Sequence, residues 1–172
     1  MIIVIDGNRG QGKTLTAVKE CYLFGLQGYT IYSNLELNFP DKNIIVKPYK
    51  LKEMIGYAED KNELRKAVVL MDEMHIALDS RTSMTKRNII ISYFLLQTRK
   101  RDVHIIGTTQ YLHQIDKRVR STAEMFISSK FIKKQDKVLN RIFYNNIVSY
   151  RSFRASTYYG YYDTNKIIDI ND

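Results

Sequence analysis

Short runs of β-compatible apolar residues alternate along most of the chain with segments of helical periodicity. The runs that predict strands are Ile2–Ile5, Tyr29–Ser33, Ile44–Val46, Ala67–Met71 and Val103–Thr108. Near-continuous apolar runs are typical of strands buried on both faces of a parallel sheet. Strand–helix alternation of this kind predicts an α/β domain, a three-layer sandwich with a mostly parallel central sheet.

The segments between these runs predict helices. Apolar residues recur at helical spacing after the first strand, and Gly25 and Gly28 mark the end of that helix: Leu15, Val18, Tyr22, Leu23 and Leu26. Further helices are predicted over residues 50–66, 88–100 and 114–122. Each predicted helix can cover one face of the sheet.

The pattern changes at Met125. Residues 125–132 and 138–150 are strand-like and flank Lys133–Asp136, which predicts an antiparallel hairpin at the C-terminal end. Residues 156–172 are rich in tyrosine and give no clear element, and we expect their tyrosines to pack against the domain or a neighbouring molecule. The sequence predicts a single domain over residues 1–172.

Composition narrows the class of protein. The single cysteine, Cys21, excludes an intramolecular disulfide and a cysteine-rich zinc site. No apolar stretch approaches the roughly 18 residues that span a bilayer, and the first residues do not resemble a signal peptide. We therefore expect a soluble intracellular protein. The net charge of +9 fits a polyanionic partner, although basic proteins without one are common.

One motif stands between the first strand and the first helix. Residues 7–14 fit G-x-x-x-x-G-K-[ST] at every fixed position: Gly7, Asn8, Arg9, Gly10, Gln11, Gly12, Lys13 and Thr14. Such a loop points backbone N–H groups at phosphate oxygens, and its lysine reaches the β and γ phosphates. We predict that this loop, with Leu15, binds ATP and that Thr14 ligates Mg²⁺. The alternative is a chance glycine turn.

Two carboxylates end the strand Ala67–Met71. A P-loop needs a carboxylate on a neighbouring strand for Mg²⁺, and Asp72 is placed to supply it. Glu73 follows and is predicted to act as the general base. Asp72 alternatively caps the next helix.

Gln110 follows the stretch Val103–Thr109, which extends the strand-like run by one residue. Ligands lie beyond the carboxyl ends of parallel strands, so Gln110 is predicted to stand near the γ-phosphate. The alternative is a solvent-facing loop residue.

The order P-loop, strand-Asp-Glu, strand-Thr-Thr-Gln resembles the FtsK–HerA superfamily of DNA-pumping ATPases. Within it, DEMHIALDSRTSMTKRN, SYFLLQTRKRDVHIIGTTQYLHQIDKRVR and YYDTN are similar to the genome-packaging ATPases of tailless icosahedral archaeal and bacterial viruses. These are related to the zonula-occludens-toxin-like ATPases of filamentous phages. The resemblance covers most of residues 1–165, and 72–120 is its specific part.

The resemblance implies a RecA-like P-loop NTPase that forms a homo-oligomeric ring, a pentamer or hexamer. It implies double-stranded viral DNA as substrate, ATP and Mg²⁺ as cofactors, a capsid component as partner, and a location in the host cytoplasm or with the virion. The implied roles fall on Lys13 and Thr14 (phosphate and Mg²⁺), Asp72 (Mg²⁺), Glu73 (base) and Gln110 (sensor). Relatives that extrude filamentous phage usually carry a membrane span after this domain, and its absence here favours packaging.

An arginine from the neighbouring subunit commonly completes phosphoryl transfer in ring ATPases. Arg99 is the first candidate for this trans arginine, and the alternatives are Arg101, Arg118, Arg120 and Arg81. Ordinary surface arginines, or cations meeting a helix C-terminus, are the other interpretation.

Two segments are candidates for DNA contact. Residues 79–88 are polar and carry Arg81, Lys86 and Arg87, which suits phosphate contact without reading of sequence. Lys130, Lys133 and Lys134 on the hairpin are a weaker candidate. The loop is alternatively a solvated connector. Two other functions stay open: a protein-directed ATPase of the filamentous-phage kind, and a nucleotide-gated assembly factor with little turnover.

Overall fold

The structure is a computed structural model and describes residues 1–49, 64–78, 81 and 98–163. Within these residues eight strands form one sheet: β1 Ile2–Asp6, β2 Thr30–Ser33, β3 Val46–Pro48, β4 Ala67–Met71, β5 Val103–Thr109, β6 Met125–Ile132, β7 Lys137–Tyr144 and β8 Ile147–Arg154. The described helices are α1 Lys13–Leu26, α2 Met74–Ala77 and α3 Lys117–Thr122. Short 3-10 turns cover Thr98–Arg101, Leu112–Gln114, Lys133–Gln135 and Ala155–Tyr161.

The strand order in the sheet is β3-β2-β4-β5-β1-β6-β7-β8. The first six strands of this order are parallel, and β7 and β8 are antiparallel additions beyond β6. The carboxyl ends of β1, β4 and β5 therefore meet at one edge of the sheet. The expectation of a carboxylate on a strand next to the P-loop strand was wrong, because β5 lies between β1 and β4.

The side chains of the parallel strands divide between two core layers. On one face Ile3, Ile5 and Ile106 pack with Val18 and Cys21 of α1. On the other face lie residues of α2 and α3 and of the segments beside them, packed against alternate strand residues. The predicted α/β fold with helices on both faces of a mostly parallel sheet is confirmed.

Helix α1 confirms the first helix prediction but not its details. Gly25 does not end the helix; it lies inside it, where an added Cβ would stand 2.5 Å from Ile44 Cγ2. Leu23 and Leu26, at helical spacing, are 37% and 50% exposed, whereas Cys21 and Gly25 are buried. The absence of a side chain at Gly25 thus lets the helix approach Ile44.

The other helix predictions have mixed outcomes. Residues 64–66, the described part of 50–66, are not helical. Of 88–100, residues 88–97 lie outside the described residues, and a 3-10 turn begins at Thr98. The predicted helix 114–122 is present but begins later, at Lys117, where the Asp116 carboxylate accepts a hydrogen bond from Arg118 N at 2.8 Å.

The C-terminal strand pattern forms two turns, not one. The predicted hairpin of 125–132 with 138–150 exists, but the second segment splits at Asn145 and Asn146 into β7 and β8. Both asparagines have positive φ, 48° and 62°. Asn-rich two-residue turns of this kind close hairpins, because asparagine tolerates left-handed backbone. The sequence contained this signal in its Asn-Asn pair.

The tyrosine-rich segment packs on α1. The ring of Tyr161 lies 5.2 Å from that of Tyr22 and 5.8 Å from that of Phe39, and Tyr158 lies 5.3 Å from Phe153. This confirms that its tyrosines pack against the domain, with Tyr159 as an exception at 45% exposure. Among the described residues, no helix is long and apolar enough to cross a membrane.

Candidate functional site

The loop between β1 and α1 depends on two glycines that the neighbouring strands crowd. Gly7 has φ 147°, and an added Cβ would stand 2.8 Å from Ser129 O. Gly12 has φ 82°, and its added Cβ would stand 2.9 Å from Val138 Cγ2. Left-handed backbone and close approach both require glycine. The loop is thus pressed against β6 and β7, and α1 starts directly after it.

Polar contacts fix the loop in the same place. Gln11 Oε1 accepts a hydrogen bond from Phe131 N at 3.2 Å. Behind the loop, the buried Thr16 and Ser129 hydroxyls each lie within hydrogen-bond distance of Asn140 Oδ1, at 3.2 and 3.0 Å. Buried polar groups satisfied in this way hold α1, β6 and β7 in one arrangement.

Lys13, the loop's lysine, is buried, and its Nζ donates to Asn8 O at 3.2 Å. Its ammonium group is therefore hydrogen-bonded to the backbone of the loop itself. Leu15, in the first turn of α1, is 7% exposed and packs with Val138 and Ala155. The structure thus gives Leu15 a core position next to the loop.

The loop and the acidic pair meet directly. Thr14 Oγ1 donates to Asp72 Oδ1 at 3.1 Å across 58 residues of sequence. Thr108 Oγ1, on the intervening strand β5, donates to the same oxygen at 2.7 Å and accepts from Glu73 N at 2.9 Å. Thr108, on the strand between β1 and β4, therefore connects the Asp72 carboxylate to the backbone of Glu73.

The environment of Asp72 suits a cation. Withdrawal from water raises the pKa of this carboxyl, and the Glu73 carboxylate adds to the rise; hydrogen bonds from Thr108 and Thr14 and the charge of Lys13 oppose it. A desolvated carboxylate next to a threonine hydroxyl is an all-oxygen donor pair of the kind that Mg²⁺ prefers. Asp72 and Thr14 therefore fit the predicted metal.

Glu73 occupies a strained position. Its φ is 53°, left-handed backbone that costs a non-glycine residue about 1–3 kcal/mol. Its carboxylate lies beside His75, with Oε2 3.4 Å from Nδ1, and neither of these buried atoms has a hydrogen-bond partner. Strain and an unsatisfied carboxylate oxygen are features of functional positions.

Asn34 belongs to the site and was missed from the sequence. Its side chain clamps the backbone of Asp72: Oδ1 accepts from Asp72 N at 2.9 Å and Nδ2 donates to Asp72 O at 3.0 Å. Asn34 follows β2, the strand next to β4. A polar residue just after a parallel strand was the signal used for Gln110, and it applies equally to Asn34.

Gln110 lies at the predicted edge. Thr109 pairs with Asp6 in the β1–β5 register, so Gln110 stands level with Gly7, where the loop begins. Neighbouring strands such as β1 and β5 lie about 4.8 Å apart, so Gln110 is close to the start of the loop. Gln110 is half-buried there.

Two of the candidate arginines, Arg99 and Arg101, lie away from this edge. The turn Thr98–Arg101, with Arg99 and Arg101, precedes the amino end of β5. Seven residues of strand, about 23 Å at 3.3 Å each, separate it from the carboxyl edge. Arg118 is exposed on α3, and Arg120 Nη1 donates to Leu112 O at 3.2 Å. Arg81 is exposed; the rest of the loop 79–88 lies outside the described residues.

A glycine loop between β1 and α1, a threonine that touches a strand-end carboxylate, and a mostly parallel sheet define a P-loop NTPase. The family model of the zonular occludens toxin, Zot, matches residues 1–138. This chain belongs to the zonular occludens toxin family.

Solved structures share the fold. The N-terminal domain of zonular occludens toxin from Neisseria meningitidis is 15% identical with a TM-score of 0.69, over 94% of this chain and 98% of that one. The genome-packaging NTPase B204 of Sulfolobus turreted icosahedral virus 2, in complex with ATP-gammaS, is 14% identical with a TM-score of 0.59, over 88% and 95%. No curated protein sequence matches the chain significantly.

Proposed function

We propose that this protein is an ATP-hydrolysing motor that translocates double-stranded viral DNA into a preformed capsid. The observation that carries the proposal is the 3.1 Å hydrogen bond from Thr14 to Asp72, which joins the phosphate loop to the acidic pair. The structurally similar B204 is a genome-packaging NTPase and binds an ATP analogue. The net charge of +9 suits a DNA partner.

Each site residue has a role in this proposal. The loop 7–14 and Leu15 hold ATP, with Lys13 released from Asn8 O to reach the β and γ phosphates. Thr14 and Asp72 would hold Mg²⁺, which neutralises charge on the phosphates when bound. Glu73 takes a proton from the attacking water, and Gln110 orients that water or senses the γ-phosphate.

A homo-oligomeric ring would place an arginine of one subunit at the next subunit's ATP. Arg99 and Arg101 lie too far from their own loop to act in cis, so a catalytic role for either requires a neighbour. Restored hydrolysis on mixing Glu73→Gln with Arg99→Ala would assign Arg99 this role. Arg81, Arg118 and Arg120 would be tested in the same way.

The decisive experiment is steady-state ATP hydrolysis with and without linear double-stranded DNA. We expect DNA to stimulate turnover and Glu73→Gln to lower it by about 10²–10⁴-fold, the contribution typical of a general base. Glu36→Gln, on an exposed loop, is the matched control and should leave turnover unchanged. Wild-type turnover no faster than that of Glu73→Gln would instead favour a nucleotide-gated assembly factor.

A second function is favoured by the family itself. The zonular occludens toxin model matches residues 1–138, and the meningococcal toxin domain has the higher TM-score, 0.69 against 0.59 for B204. On this alternative the ATPase drives phage or protein extrusion. Hydrolysis that requires Glu73, ignores DNA in an oligomeric preparation and responds to a membrane or coat protein would select it.

A further inference from the structure

Strands β6, β7 and β8 turn one face towards α1 and the other away from it. Val138, Asn140 and Ile142 of β7 are 0%, 2% and 8% exposed and lie on the α1 side. Successive side chains of a strand alternate, and opposed residues of paired strands share a face. The other side, which we call the outer face, is therefore defined by Lys130, Lys137, Arg141, Phe143, Val148 and Tyr150.

The outer face exposes large apolar and aromatic side chains to solvent. Tyr150 is 65% exposed, Phe143 is 44% exposed and Val148 is 43% exposed. Grouped apolar side chains on a solvent-facing surface with a polar surround mark interaction sites more often than single ones do. The outer face thus has the character of a binding surface.

Charge restricts the partner of the outer face. Residues 125–154 contain seven lysines and arginines but one carboxylate, Asp136, which pairs with Arg154 at 3.2 Å. Where β6 pairs with β1, the Asp6 carboxylate accepts a hydrogen bond from Ser128 at 2.6 Å. Two copies of this face would repel each other, whereas a polyanion would be attracted.

The aromatic residues further restrict the kind of polyanion that would fit the outer face. Tyr150 lies directly opposite Arg141 in the β7–β8 register, and Phe143 lies opposite Val148. Cations contact phosphates, and exposed rings stack on bases, which only a single strand leaves accessible. A duplex would satisfy the cations and leave the rings without a partner.

We propose that the outer face binds a single strand of nucleic acid. Lys130 and Arg141 contact its phosphates, while Tyr150 and Phe143 stack on its bases. This site goes beyond the proposed function, which concerns duplex DNA, and it does not depend on ATP hydrolysis.

The same strands also support the phosphate loop. Phe131 N donates to Gln11 Oε1 at 3.2 Å, and Lys130 is the residue before Phe131. Val138 touches the position of Gly12, and Lys137 is the residue before it. A strand bound on the outer face therefore lies one sheet thickness from the ATP loop.

Fluorescence anisotropy with a labelled oligodeoxythymidine, without nucleotide, tests the proposal. Tyr150→Leu should weaken binding between about 5-fold and 150-fold, the range for loss of one stacked base, and Tyr150→Phe should keep the affinity. Tyr159→Leu, at a tyrosine that is 45% exposed and lies outside the outer face, should bind like wild type. Circular dichroism melts show whether each variant is folded.

Salt dependence separates the cations from the rings. Arg141→Ala should lower the slope of log affinity against log salt concentration by about 0.7, the value for one phosphate of a single strand. Tyr150→Leu should leave that slope unchanged, and exposed Lys42→Ala should change neither slope nor affinity.

Three results would overturn the proposal. The first is equal affinity for duplex DNA together with no effect of Tyr150→Leu, which would indicate phosphate contact alone. The second is displacement by polyglutamate as effectively as by unlabelled oligodeoxythymidine, which would indicate attraction to any polyanion. The third is no binding of the oligonucleotide by a folded wild-type protein.

Discussion

At the residue scale, the acidic pair is placed by two side chains, Asn34 and Thr108, that lie outside both the P-loop and the Asp-Glu pair. Asn34 holds the backbone of Asp72 through two hydrogen bonds, and Thr108 bridges the Asp72 carboxylate to Glu73 N. The P-loop was predictable because its chemistry requires fixed residues at fixed spacing. Asn34 and Thr108 were not, because their role depends on which strands are neighbours in the sheet.

Replacing Asn34 with alanine should loosen Asp72 without removing a proposed catalytic group. The two lost hydrogen bonds should cost about 1–3 kcal/mol of unfolding free energy, since one buried donor and one acceptor lose their partners. ATP hydrolysis should fall by about 10–100-fold, as for other groups that orient metal ligands. Urea unfolding and steady-state turnover measure the two effects.

The control for Asn34 is Asn38→Ala, a change at an exposed asparagine of the same loop. It should leave both measurements near wild type. An Asn34→Ala protein that keeps full turnover would show that the clamp on Asp72 has no functional consequence.

His104 gives the stability a dependence on pH. Its ring stacks on Phe24 at 4.6 Å and meets Tyr29 at 5.0 Å. Burial lowers the pKa of His104, and the N-terminal amine adds to this; the carboxylates of Asp102 and Glu124 act in the opposite direction. The ring is therefore neutral in the native state at neutral pH.

The sign of the pH dependence follows from proton binding. Below pH 6.5 the unfolded chain binds more protons at His104 than the native state does, so stability rises as pH increases through this window. His104→Phe keeps a ring between Phe24 and Tyr29. When the pH is lowered from 7 to 5, the melting temperature of this variant should fall less than that of wild type. His113→Gln, at an exposed loop histidine, is the control. If the melting temperatures of His104→Phe and wild type fall equally between pH 7 and pH 5, this assignment is refuted.

At the element scale, the P-loop is positioned by the strands behind it as much as by its own sequence. The parallel strands followed from their apolar runs, and the antiparallel pair from its alternation. The close fit of Gly12 on Val138 was not predictable, because the motif requires glycine there for phosphate binding whatever lies behind it.

Alanine at Gly12 and at Gly10 should separate backbone strain from crowding. Both glycines have positive φ, 82° and 73°, but an added Cβ meets Val138 only at Gly12. Gly10→Ala should cost about 1–2 kcal/mol of unfolding free energy, the penalty for left-handed backbone. Gly12→Ala should cost about 1–3 kcal/mol more, the range for overpacking.

The double variant Gly12→Ala with Val138→Ala tests the contact. Removing the Val138 methyl groups should make Gly12→Ala less costly than it is alone, a coupling of about 1 kcal/mol in a double-mutant cycle. Strictly additive free energies from urea unfolding would argue that the strands do not press on the loop.

At the scale of the whole molecule, the C-terminal segment binds distant parts of the domain together. Asn38 N donates to Tyr161 O at 2.8 Å, Leu37 forms a β-bridge with Tyr162, and Tyr161 packs on Tyr22. The sequence showed a tyrosine cluster but not its position, because no periodicity connects residues 156–163 to α1.

Tyr161→Ala should therefore destabilise the domain by about 1–3 kcal/mol, through loss of packing against Tyr22 and Phe39. Tyr159→Ala, two residues earlier and 45% exposed, should change the unfolding free energy by less than about 0.5 kcal/mol. Chemical denaturation of both variants makes the comparison. Equal unfolding free energies of the two variants would mean that the packing of Tyr161 on α1 does not stabilise the domain.

The position of β8 at the end of the sheet has a consequence for handling the protein. Among the strands that the structure describes, only β7 pairs with β8, and an unpaired edge with exposed Ile147, Val148 and Tyr150 is a template for strand addition by another chain. The exposed Arg151 and Arg154 follow that apolar stretch, and charges flanking a hydrophobic strand oppose aggregation. Neutralising both arginines would favour filaments of misassembled chains, and high salt, which screens them, would shorten the shelf life of a concentrated sample.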